Sequence, residues 1–145
     1  MSLLALDYGR RRIGVAHADE LLVPVPLPAV TTSSPEARWE ALAGLARDKG
    51  VDKIVLGHPV RPDGSSGEMA REVEDFAAEL RRRLALPVEL VDERGTSREA
   101  GAHWNLRKAR RERASGKLDS AAAVLILRNY LEEHGTPPLL PEDHA

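Results

Sequence analysis

The stretch LALDYGRRRIGVAHA, residues 4–18, closes one apolar run on a carboxylate, Asp7, and opens a second after a glycine and three arginines. Two short apolar runs, Leu3 to Asp7 and Ile13 to Ala18, parted by Gly9 and a charged tip, suit a hairpin of two strands. An acid at the end of a buried strand needs compensation, because desolvating a lone charge is costly. What compensates Asp7 is the question from which the rest of the chain is read.

A third strand ends near Ala29 and Val30, after a proline-interrupted approach that fits a sheet edge. The period then changes to helical: Ser34-Pro35 marks a start, and Trp39, Leu42, Ala43 and Ala46 follow until Gly50 stops the helix. KIVLG, 53–57, is a buried strand. Ser65 with Glu68 has the spacing of a capping box, and Met69, Val73, Phe76, Ala77, Leu80 and Leu84 form one helical stripe ending at Pro87. VELVDE, 88–93, is a fifth strand. Thr96 to Trp104 is read as a short helix, 105–116 as a basic, mobile stretch, and Leu118 to Glu133 as an Ala-rich helix. Three meandering strands followed by alternating helix and strand give an α/β fold with a mixed five-stranded sheet and helices on both faces.

On this topology strands one and five are parallel, so Asp7 and Glu93 reach the same carboxyl edge of the sheet, where ligand sites of open α/β sheets lie. If strand four runs between them, their backbones are about 9–10 Å apart and Gly57 leaves the gap unfilled. Asp119 falls in the first turn of the last helix, where helix capping is sufficient explanation. Ala121, Ala122 and Ala123 nevertheless let that helix approach the sheet closely and bring Asp119 to the same edge. Three carboxylates that close cannot all stay ionised without a cation, and an all-oxygen site suits Mg²⁺ or Mn²⁺. Such ions support phosphodiester hydrolysis; scattered structural acids are the competing reading.

The 145 residues allow one domain with a real core, read as 1–134, and a loose tail, 135–145, with Pro137, Pro138 and Pro141. The chain has no cysteine, which excludes disulfides and thiolate zinc sites. It opens directly on a strand pattern without an apolar leader, and its longest apolar run, Leu21 to Val30, holds three prolines and is too short to span a membrane. A cytoplasmic location is expected. Net charge is −2, but between Arg94 and Lys117 eight basic residues face two glutamates, a local +6 that leaves −8 elsewhere. With five aromatic residues in the chain, contacts to nucleic acid should fall on the phosphate backbone rather than on stacked bases.

The segments LDYGRRRIGVA, GHPVRPDG, DERGTSREA and KLDSAAA resemble, in order and spacing, those of the YqgF-type Holliday-junction resolvases, also called pre-16S ribosomal RNA nucleases. The resemblance spans roughly Leu3 to Tyr130. It implies a ribonuclease H-like fold, a metal-dependent nuclease activity, and Asp7, Glu93 and Asp119 as the metal-binding and catalytic set. Two positions depart from the family pattern: His58 stands where an apolar residue is usual in the G-x-P turn, and Arg11 where Lys is frequent. His58 is read as a polar residue at an exposed strand end.

For substrate binding, Arg11 is favoured as a phosphate ligand, with Arg10 and Arg12 as solvated neighbours. Arg94 and Lys117 flank the acids and could stabilise charge on the phosphate; pairing with nearby acids is the alternative. Arg107, Lys108, Arg110 and Arg111 are read as a backbone-holding stretch. Asp92 is structural, Asp63-Gly64 a turn, and Trp104 a packing residue. Expected partners are precursor ribosomal RNA or branched DNA, with no membrane. Resolvases of this fold cut symmetric strands as dimers, so the junction alternative brings a homodimer, although no helix with an exposed apolar face stands out. A nucleotide-binding kinase of the actin type is disfavoured because no second phosphate hairpin is visible. A silent nucleic-acid-binding module is disfavoured because all three acids are present.

Overall fold

The computed structural model describes residues 1–31, 34–59, 67–92 and 120–134. The elements are β1 (Leu3–Asp7), β2 (Ile13–Ala18), β3 (Val25–Val30), α1 (Pro35–Asp48), β4 (Lys53–His58), α2 (Glu68–Leu84), β5 (Val88–Asp92) and α3 (Ala121–Glu133). They form one five-stranded sheet in the order β3-β2-β1-β4-β5. β1 is antiparallel to β2 and parallel to β4, and β4 is parallel to β5. β4 thus lies between β1 and β5, as the sequence reading requires.

Side-chain alternation divides β1 between two cores. Leu4 and Leu6, with Ile13, Val15, Ile54 and Leu56, meet Leu42 of α1 and Val73, Phe76, Ala77 and Leu80 of α2. Leu3 and Ala5, with Ala16, Ala18, Val55 and Val91, meet Ala122, Ala123, Ile126 and Leu127 of α3. Period-two alternation with both faces apolar is what a sheet sandwiched between helices demands, and it makes β1 buried along its whole length.

Local chemistry sets several boundaries. The Ser34 hydroxyl accepts a hydrogen bond from the Ala37 N–H (3.1 Å) and Pro35 follows at the first helical position, so α1 starts where the sequence indicates. α2 does not start as read: its N-cap is Gly67, with Glu68 in the first turn rather than three residues beyond a capping Ser65. Glu68 there interacts favourably with the helix dipole, which a capping box would also have explained. α2 closes with Ala85 in the left-handed region, its N–H donating to the Arg81 carbonyl at 3.0 Å, before Pro87 releases the chain into β5.

β3 lies at the sheet edge with an added residue opposite β2, where the register shifts between Ile13 and Val15. The Leu27 carbonyl faces inward to a bond with Ser120, so alternation turns the positions of Pro26 and Pro28 outward. Those prolines remove the outward N–H groups that would otherwise invite another strand.

At its far end α3 is fastened by a polar group. Lys53 Nζ lies 2.6 Å from Glu89 Oε1 and donates to the Tyr130 hydroxyl at 2.9 Å, and His134 Nε2 is 3.0 Å from Glu89 Oε2. Burial raises the Glu89 carboxyl, but the hydrogen bond and charge of Lys53, with His134 beside it, more than offset that and hold it below its usual range. Among the described residues no helix is long and apolar enough to cross a membrane. The segments read as the helix at Thr96 to Trp104, the basic stretch 105–116 and the tail 135–145 lie outside the described residues.

Candidate active site

Parallel pairing brings three strand ends level. Leu6 lies beside Leu56 and Leu56 beside Leu90, so Asp7, Gly57 and Val91 make the next row, and His58 and Asp92 the last. Asp7 is 2% exposed, a carboxylate at the carboxyl edge of the central strand. It falls on the α3 face, sharing the alternation of Leu3 and Ala5. Its neighbour Gly57 is buried and has no side chain to fill the space beside it.

Ser120, the N-cap of α3, is 4% exposed, and its side chain makes no capping hydrogen bond. Its hydroxyl instead accepts from the Val15 N–H (3.0 Å) and donates to the Leu27 carbonyl (2.5 Å). Val15 and Leu27 face each other across β2 and β3 at the register shift, so the serine bridges a ladder that the added residue disturbs. Val15 is also the partner of Leu6, one residue from Asp7. The start of α3 is thereby tied to the strand beside Asp7. Removing this hydroxyl would take a partner from the buried Val15 N–H and from the half-buried Leu27 carbonyl. Ser120→Ala is therefore expected to lower the unfolding free energy by about 1–3 kcal/mol, read as a lower urea midpoint at constant m. An unchanged midpoint would mean that the ladder closes without the hydroxyl.

Several sequence expectations are corrected here. α3 begins at Ala121 with Ser120 at its N-cap, where the sequence reading opened the helix at Leu118; Leu118 and Asp119 lie outside the described residues. Ser120 takes the capping position, yet its side chain bonds the sheet, pairing the buried Val15 N–H and the half-buried Leu27 carbonyl rather than a helix N–H. His58 is not at an exposed end: its ring is 16% exposed and hydrogen-bonded to Glu74 of α2 at 2.8 Å, on the face opposite Asp7. Arg10 is not merely solvated either; its guanidinium bonds Glu72 of α2, and that hydrogen bond holds the Glu72 carboxyl below its usual range. Arg11 is exposed at the tip of the β1–β2 connection and makes no hydrogen bond or ion pair with a described residue.

Glu93, Asp119, Arg94, Arg107, Lys108, Arg110, Arg111 and Lys117 lie outside the described residues. Among the described residues no group of three His, Asp or Glu side chains could hold a metal ion. Sequence reasoning missed Ser120 and Glu72 as supports of this edge. Ser120 carries only a capping signal, and Glu72 is separated from Arg10 by 62 residues with no pattern linking them.

Comparison with known proteins agrees with this architecture. A protein of Opitutus terrae provisionally named a pre-16S rRNA nuclease is 48% identical over 140 residues, covering 96% of this chain and 97% of its own. One of Synechococcus elongatus with the same provisional name is 38% identical over 135 residues, covering 92% and 91%. Among solved structures, Thermus thermophilus RuvC in complex with a Holliday junction substrate superposes with a TM-score of 0.55 at 18% identity, covering 97% of this chain and 99% of that one. A second structure of the same RuvC gives a TM-score of 0.50 at 15% identity, covering 94% and 98%. These likenesses identify the fold as that of RuvC, ribonuclease H-like. The family model described as "RuvX: Holliday junction resolvase" matches residues 1–133, and with that match and relatives this similar over nearly their whole length, the chain belongs to the RuvX family.

Proposed function

We propose that this protein is a divalent-metal-dependent nuclease that hydrolyses phosphodiester bonds of nucleic acid, acting in 5′-end processing of precursor 16S ribosomal RNA. The observation that carries the reading is Asp7, a buried carboxylate at the open end of parallel strands, beside a glycine. Two features of the described chain support Glu93 and Asp119 as its companions. β5 alternates so that Glu89 and Val91 face α3, and the next residue of that parity in the sequence is Glu93. Asp119 immediately precedes Ser120, whose hydroxyl is bonded to the strand next to Asp7.

A carboxylate set of this kind fits a hard cation, and Asp7, Glu93 and Asp119 would hold Mg²⁺ or Mn²⁺. When bound, such a cation supplies Lewis acidity at the phosphate and lowers the pKa of water. The protein's own part is positioning. Asp7 is fixed by the strands on either side, Gly57 puts no side chain beside it, and Arg11, which bonds to no described residue, would take a phosphate oxygen. Arg94 and Lys117, adjacent in sequence to the acids, would neutralise charge gathering on the phosphate, and Arg107, Lys108, Arg110 and Arg111 would hold the backbone leading away. In the reaction a water oxygen bonds to phosphorus and gives up a proton to solvent, the bond from phosphorus to the ribose oxygen breaks, and that oxygen takes up a proton from solvent.

The names of the relatives favour ribosomal RNA, whereas the family's description favours a four-way junction; that alternative would bring a homodimer. Cleavage assays with Mg²⁺ and Mn²⁺ on a precursor 16S 5′ leader, a synthetic four-way junction and plain single strands separate them. The RNA reading expects the leader to be cut at least about tenfold faster, by kcat/KM, than the junction. Faster cutting of the junction would replace it with the resolvase reading.

A further inference from the structure

The β1–β2 connection, residues 8–12, is gripped from the side away from Asp7. The Tyr8 hydroxyl donates to Glu72 Oε1 at 3.3 Å. Arg10 Nε donates to the same carboxylate at 3.1 and 2.9 Å, and Arg10 Nη2 adds a further bond to it. Arg38 Nη2 of α1 donates to the Arg10 carbonyl at 2.6 Å. Beneath them the Tyr8 ring packs on Phe76 with centroids 4.7 Å apart, and Phe76 stacks on Trp39 at 5.2 Å. Both flanks of Gly9 are therefore tied to one carboxylate, and the backbone at Arg10 is tied to a second helix. The next residue, Arg11, is exposed and has no bond to a described residue.

From this arrangement we infer that Glu72 is a positioning residue for substrate: by holding Tyr8 and Arg10 it fixes the connection so that Arg11 meets the phosphate backbone. The inference rests on the phosphate-binding role proposed above for Arg11. A rigid tip matters because a cation presented in one place binds a phosphate without first losing the freedom of a loose loop. Arg10 and Arg11 thus divide two tasks between like side chains, one anchoring and one binding. The sign of one substitution separates this from simple electrostatics. Glu72→Gln removes a negative charge near a polyanion and frees Arg10, so charge alone would tighten binding. Loss of the grip should weaken it.

The test is a double-mutant cycle of Glu72→Gln and Arg11→Gln, read by fluorescence anisotropy of a labelled single-stranded RNA in EDTA across a salt series, with circular dichroism confirming that each variant is folded. Arg11→Gln is expected to weaken binding about tenfold at low salt and to reduce the magnitude of the log K against log[salt] slope by about 0.7. Glu72→Gln is expected to reproduce much of that loss and slope change, and to add nothing in the Arg11→Gln background. Tighter binding by Glu72→Gln, or losses that add in the double variant, would overturn the positioning role while leaving Arg11 as a phosphate ligand. No effect of Arg11→Gln on affinity or slope would overturn both.

Discussion

Asp7→Asn is expected to reduce turnover by on the order of 10³-fold, about 4 kcal/mol of barrier, while leaving the protein folded. The side chain is 2% exposed and stands in the middle of a strand-end row flanked by Gly14 of β2 and Gly57 of β4, so the isosteric amide fits the same space. What it loses is the charge that makes a hard-cation ligand. Glu93→Gln and Asp119→Asn are expected to act the same way, because in the proposed site the three carboxylates would share one cation and could not substitute for one another. In EDTA the melting curve of Asp7→Asn should still show a single cooperative transition, since the isosteric amide fits the buried site. Kinetics at saturating Mn²⁺ together with a melting curve check both halves. Full activity in Asp7→Asn, or undiminished cleavage in excess EDTA, would remove the metal-assisted mechanism.

The second large effect concerns affinity rather than turnover. Replacing Arg107, Arg110 and Arg111 with Gln is expected to flatten the dependence of log K on log[salt] by roughly 0.7 per lost phosphate contact on single strands, about 2 for all three, and by roughly 0.9 per contact on a duplex junction. Turnover at saturating substrate should change much less if, as proposed, these residues hold the backbone away from the reacting bond. A solvated charged loop is the competing reading, and it expects altered solubility with an unchanged slope on both polymers. A slope that falls on only one polymer would identify the substrate this segment is built to hold.

Legibility in the sequence follows the range of the interactions that set each feature. The β1–β2 hairpin is visible because the apolar runs on both sides of Gly9 report directly that β1 is buried on two faces. The edge position of β3 is visible because alternate prolines are tolerated only where one row of N–H groups needs no partner. The start of α1 is visible because Ser34 caps it from three residues away. By contrast, the start of α3 is decided by Ser120 reaching Val15 and Leu27, 105 and 93 residues earlier, and no local pattern carries that information. His58 is similar: read locally it is a polar strand end, but Glu74 on a later helix draws its ring into the α2 interface. At the site itself, the position of Asp7 follows from strand and topology. The division of labour between Arg10 and Arg11 does not, because it is set by one carboxylate on α2.

The most direct measurement of whether Asp7 belongs to a cation site is isothermal titration of Mn²⁺ into wild-type protein and into Asp7→Asn, Glu93→Gln and Asp119→Asn at neutral pH. Saturable binding by the wild type, weakened at least about tenfold by each single substitution, is the result expected of carboxylates acting as shared oxygen ligands. Mn²⁺ binding by Asp7→Asn as tight as that of the wild type would contradict it.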